Sequence, residues 1–247
     1  TSVGVVRYSA DTGGPRLALG KSRHGSIATG GGTIVQSGDT VGLIQFAADD
    51  GGDVATQAVQ LLASVDGTPG TNDMPGRFVI KTTADGANSP TEHLRITDAG
   101  DIGIGDSAPS TKLHVTTSDQ DDGITIECTN GGASAGPSLK LDRSSSGPAD
   151  DDSIGEIEFS GRNDASQAVQ YARIVARADD VTDGTEDGEL VIQTILAGTA
   201  RSKVEFNRTE TVFNEDSQNV DFRVESNGNT GMLMVDGGEN AVLIGTV

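Results

Sequence analysis

Four short segments of this chain occur twice, in the same order, and that self-similarity restricts the fold more than any single residue does. "PRLALGKS" at 15–22 returns as "PSLKLDRS" at 137–144, and "VGLIQF" at 41–46 as "IGEIEF" at 154–159. "ATQAVQ" at 55–60 returns as "ASQAVQ" at 165–170, and "GRFVIKT" at 76–82 as "GELVIQT" at 188–194. Matches in register at one roughly constant spacing predict two homologous units of about 80 residues. A shorter echo joins them. "HLRITDAGDIGIG" at 93–105 aligns with "MLMVDGGENAVLIG" at 232–245, so that Leu94 matches Leu233, Ile96 Val235, Ile102 Val242 and Ile104 Ile244. The expected layout is a first repeat unit over 1–110, connecting strands over 111–136, a second unit over 137–210 and a short third repeat over 211–247.

The local pattern inside each segment is alternation of apolar and polar residues, the period of a half-buried strand. Leu94 and Ile96 alternate with Arg95 and Thr97, a turn follows at Asp98-Ala99-Gly100, and Ile102 and Ile104 resume the pattern. Gly100, Gly103 and Gly105 read as backbone punctuation, since such turns need positive φ. "VATQAVQLLASV" at 54–65 could pass as a helix by composition. Its partner "ASQAVQYARIVARA" carries β-branched and aromatic residues, so both are read as strands. Further strands are expected near 3–8, 16–19, 112–116, 123–128, 138–142 and 219–225, with "TKLHV" and "QNVDFRV" as matching strands. The class is all-β, built from short strands into a β-helix, a β-prism or stacked β-sandwiches.

The predicted core formers are Ile44, Phe46, Phe78, Ile80, Leu94, Ile96, Ile102 and Ile104, with Ile157, Phe159, Leu190, Ile192, Leu233 and Val235 as their counterparts. They make lean cores: aromatic residues are 3% of the chain, Trp is absent and Gly numbers 34. A unit of about 80 residues with so few large side chains is marginal alone, and its sheet edges invite pairing. Stacked units and several identical chains wound together would supply the missing interior. Cys128 follows Ile124 and Ile126 at period two and reads as a small buried hydrophobe.

At "PGRFVIKTTADGANSPTEHLRITDAGDIGIGDSAPSTKLHV" (75–115) the chain resembles bacteriophage tail-fibre and tail-spike-like proteins, especially those of marine tailed phages. "GEIEFSGRNDASQAVQYARIVARADDVTDGTEDGELVIQT" and "VFNEDSQNVDFRVESNGNTGMLMVDGGENAVLIGT" look like two further shaft repeats of that kind. His93 and Leu243 depart from the usual pattern, where Arg and Gly are common. The resemblance implies an intertwined homotrimer, attachment to other virion tail proteins, and a place in the extracellular virion. Such fibres often continue into an intramolecular chaperone domain, which is not identifiable before Val247. A chain opening at Thr1 and stopping within a repeat is expected to be a portion of a longer fibre.

Catalytic signatures are missing. No nucleophile elbow, P-loop, HExxH or paired CxxC occurs, and His24, His93 and His114 read as solvent-facing. No cofactor is expected. The acidic loops could offer oxygen ligands to Ca²⁺, the best candidate being Asp179, Asp180, Asp183 and Asp187, although solvated turn carboxylates are the simpler reading. A formal net charge of −20 argues against nucleic acid, and no apolar run is long enough for membrane insertion. The leading expectation is a non-enzymatic tail-fibre shaft that carries the host-recognition apparatus. Alternatives are a module binding a host cell-surface glycan or protein, and a bacterial surface adhesin or extracellular filament.

Overall fold

The structure, a computed structural model, describes all residues except 1–3, 9, 11, 26–31, 121–122, 134–135 and 247. Among the described residues there is no helix, and none of three antiparallel-dominated sheets closes on itself. Chain contacts divide the molecule into two units, Thr1–Thr125 and Ile126–Val247.

The first unit holds one six-stranded meander: β1 (Thr40–Ala47), β2 (Gln57–Val65), β3 (Gly76–Thr82), β4 (Thr91–Ile96), β5 (Ile102–Ile104) and β6 (Leu113–Val115), paired in that order. Cross-strand partners share a face, so the register defines the rows of side chains. One row runs Ile44, Leu61, Ile80, Leu94, Ile104, Val115; the next runs Gly42, Ala63, Phe78, Ile96, Ile102, Leu113. The opposite face carries Leu43, Leu62, Val79 and Arg95. The β4–β5 hairpin turns at Gly100, whose φ of 74° lies in the left-handed region. β5 and β6 then pair in parallel, although parallel strands usually need a crossover of a dozen or more residues. The short link between them is possible because Gly103 carries no side chain: a Cβ there would stand 2.1 Å from the Asp106 carbonyl oxygen.

The second unit holds two sheets. The larger runs β7 (Asp152–Arg162), β8 (Ala168–Asp180), β9 (Asp187–Leu196), β10 (Thr199–Phe206) and β11 (Thr211–Phe213). Its rows repeat the first sheet's: Ile157, Ile174, Ile192, Val204, Phe213, and then Gly155, Ala176, Leu190, Phe206, Thr211. The smaller sheet is β12 (Phe222–Ser226), β13 (Asn229–Asp236) and β14 (Ala241–Thr246). In its hairpin Leu233 faces Ile244 and Val235 faces Val242, as Leu94 faces Ile104 and Ile96 faces Ile102. Asn240, at φ 54°, takes the left-handed place in that turn.

Several expectations need correction. The deeply buried apolar residues are Val35, Val65, Val79, Val175 and Val191. Of these, Val79, Val175 and Val191 lie on the opposite face from the predicted core formers. They stand beside Arg95, Arg173 and Arg177, whose aliphatic stems suit the covering of apolar surface. Ile44, Phe46, Phe78, Ile96, Ile104, Ile157, Phe159, Leu190 and Val235 are instead exposed, while Ile80, Leu94, Ile102, Ile192 and Leu233 are half-buried. Alternation identified their shared face correctly, but among the described residues no layer covers these positions. The segments 4–8, 16–19, 123–128 and 138–142 join no ladder; residue 3 lies outside the described residues. Alternation alone does not supply a hydrogen-bonding neighbour. Cys128 falls in one of these segments and is exposed, because no sheet turns its side chain inward. "TKLHV" and "QNVDFRV" also occupy different places: β6 joins β5 in parallel, whereas β12 joins β13 antiparallel.

Candidate functional site

Each large sheet presents an apolar face whose two central rows contain no charged residue. In the first unit Ile44, Phe46, Phe78, Ile96, Ile104 and Leu113 are 39–56% exposed. In the second, Ile157, Phe159, Leu190, Phe206 and Phe213 are 39–54% exposed. The charges are collected on the reverse faces and at the margins. There Arg77 pairs with Asp66 at 2.6 Å and Arg95 with Glu92 at 2.7 Å. Arg177 pairs with Glu189 at 2.7 Å, and Arg173 with Glu156 at 3.4 Å. The smaller sheet repeats the design, with Val224, Val235, Val242 and Ile244 exposed along one face.

A strap enters each large sheet at its first strand. Leu19 stands against Gly42, where an added Cβ would lie 2.8 Å from the leucine Cβ; Leu141 stands likewise against Gly155, at 3.0 Å. A charged latch follows in both units. Asp39 is met by Arg23, with Nε and Nη2 each donating at 2.7 Å, and by Lys21 at 3.4 Å; Asp152 is met by Arg143 at 2.8 Å. Asp39 also accepts the Gln36 N–H and Asp152 the Ala149 N–H, both at 3.0 Å. The residue before each aspartate has positive φ: Gly38 at 85° and Asp151 at 66°. Their N–H groups donate to the Val65 and Ala178 carbonyls at 2.9 and 2.7 Å. The Arg23 guanidinium and the Gln36 N–H hold the Asp39 carboxyl well below the usual carboxylate range. The Ala149 N–H and Arg143 lower that of Asp152. The paired segments and paired glycines are visible in the sequence; their mutual contact is not.

The candidate cation loop divides its four carboxylates. Asp179, Asp180 and Asp187 gather around the guanidinium of Arg208, at 3.8, 3.9 and 3.6 Å, while Asp183 sits in the exposed turn beyond. The Thr182 N–H, its hydroxyl and Arg208 lower the Asp180 carboxyl. Among the described residues no three His, Cys, Asp or Glu side chains form a metal-holding group. His93 is exposed, and His114 is half-buried with Nδ1 2.6 Å from Asp106 Oδ2. No helix of the described residues is long and apolar enough to cross a membrane.

The comparison with solved structures bears on this fold. The chain superposes on the carboxy-terminal domain of the bacteriophage T5 L-shaped tail fibre with a TM-score of 0.67 and 10% identity, covering 92% of this chain and 95% of that one. It has the fold of a phage tail-fibre domain. The form of that T5 domain carrying its intramolecular chaperone domain matches with a TM-score of 0.66 and 12% identity, over 93% of this chain and 65% of that one. No family model matches the sequence, and no curated protein does. At such identities the likeness lies in the backbone plan, and the residues that realise the plan are this chain's own.

Proposed function

We propose that the chain is a non-enzymatic structural segment of a phage tail fibre, a homotrimeric shaft of duplicated β units in the extracellular virion. It joins other tail proteins and carries or forms part of the surface that meets the host. The observation that carries this reading is the tail-fibre fold over 92% of the chain, combined with apolar sheet faces that its own residues leave open. A rod that transmits load needs many cross-strand hydrogen bonds and an interior sealed from water, and it needs no catalytic cleft.

The test is the mass of the purified chain by light scattering, with negative-stain micrographs of its shape. The expected result is three chains in an elongated particle. A monodisperse single chain overturns the reading. Glycan-array binding by this segment alone would move recognition into the segment itself.

A further inference from the structure

We infer that copies of this chain meet through the uncharged rows around Ile44 and Phe78 in the first unit and around Ile157 and Leu190 in the second, each sheet turning this face toward its counterpart in a neighbouring copy. The inference rests on the self-associating fibre reading and adds the surface that performs it. Area supports it. Side chains of this size expose ~150–200 Å² when free. About half of that, over the open positions of both units, leaves on the order of 1,000 Å² of apolar surface per chain, against the ~800 Å² per partner that a stable interface buries. Each unit's share, on the order of 500 Å², lies toward the upper end of what a lone soluble chain exposes as one patch.

Charge decides the occupant. At a formal net charge of −20, two copies approaching through arbitrary surfaces repel each other. The central rows carry no charge, and the arginines and carboxylates of the reverse faces are already paired within their own chain. The uncharged rows are therefore where like chains approach at the lowest electrostatic cost. Their recurrence at matching registers gives each unit the same kind of surface.

Cysteine placement tests this in the full chain, with exposed Cys128 first changed to Ser. Ile44→Cys and Ile157→Cys occupy the uncharged rows; Lys81→Cys and Glu158→Cys, on the reverse faces, are controls. With a short bismaleimide at low protein concentration, the first pair should give covalently joined copies and the controls single chains. No joining at positions 44 and 157, or equal joining at 81 and 158, overturns the inference while the multi-chain mass of the parent stands. A parent mass of one chain overturns the fibre reading and this surface with it.

Discussion

At the scale of single residues, two kinds of position carry more than their size suggests. Gly103 and Gly105 permit the parallel return from β5 to β6. A Cβ at Gly105 would stand 2.2 Å from the Thr116 carbonyl oxygen, and its φ of 68° already disfavours a side chain. Both obstacles are backbone, which cannot swing aside. Gly103→Ala or Gly105→Ala should therefore destabilise by about 2–3 kcal/mol or more, or release β6 from the sheet. Thermal melting measures the loss, and hydrogen exchange at Thr116, whose N–H donates to the Ile104 carbonyl at 2.9 Å, reports the release. Melting unchanged from the parent would mean that the β5–β6 turn is not as described. Asp39 and Asp152 contribute to the acid limit, together with Asp50, Asp66 and Asp180, which are lowered in the same direction. Their carboxyls titrate lower in the folded chain than the ~3.9 of a free aspartate. Each contributes stability that is complete above that ordinary value and is lost as pH falls through the lower folded value. The melting temperature should hold from pH 7 to about 5 and then decline below about pH 4. Asp39→Asn with Asp152→Asn should melt lower at pH 7 and decline less steeply in acid. An equally steep decline in the double variant would assign acid sensitivity to other carboxylates.

At the scale of elements, the strap and notch form a contact that a double-mutant cycle can isolate. Gly42→Ala forces a methyl against Leu19 and should cost about 1–3 kcal/mol by overpacking. Leu19→Gly removes the obstructing Cβ with the rest of the side chain, so in the double variant the two losses should fall short of their sum, read from melting midpoints. Gly155→Ala with Leu141→Gly should behave alike, and strict additivity would mean that the leucine does not occupy the notch. This contact also shows what the sequence could and could not reveal. Both halves lie in the repeated segments, yet they are separated by a stretch whose path no local pattern encodes. The strand–turn–strand elements around 94–104 and 233–244 were legible because apolar alternation brackets a turn in each; their cross-strand partners, Leu94–Ile104 and Leu233–Ile244, come from the structure. Segment 54–65, ambiguous alone, was resolved by Tyr171, Ile174 and Val175 in its counterpart. The segments at 16–19, 123–128 and 138–142 misled because alternation is intrinsic to a segment, whereas a ladder requires a neighbour. For the same reason Cys128 was misplaced. Period two could show that Ile44 and Phe78 share a face, but not which molecule would cover it.

At the scale of the whole molecule, two electrostatic effects of opposite sign compete, and salt separates them. Thirty-seven acidic residues against seventeen basic ones make every added copy repel the others, and this term grows with the square of the charge assembled. The intrachain ion pairs pull the other way, but exposed or half-exposed pairs are each worth only ~0.2–1 kcal/mol and are themselves screened. Raising NaCl from about 0.01 to 0.15 M shortens the screening length from ~30 to ~8 Å, while changing the burial of apolar surface little. If stability comes from uncharged faces brought together against a net repulsion, both the mean mass in dilute solution and the melting temperature must rise over that interval. They should also rise least for a variant in which Ile44→Glu and Ile157→Glu have spoiled the faces, since that variant has little association left to strengthen. A melting temperature that falls with salt in the parent would mean that the ion pairs at Asp39, Asp66 and Glu189, rather than the apolar rows, carry the stability.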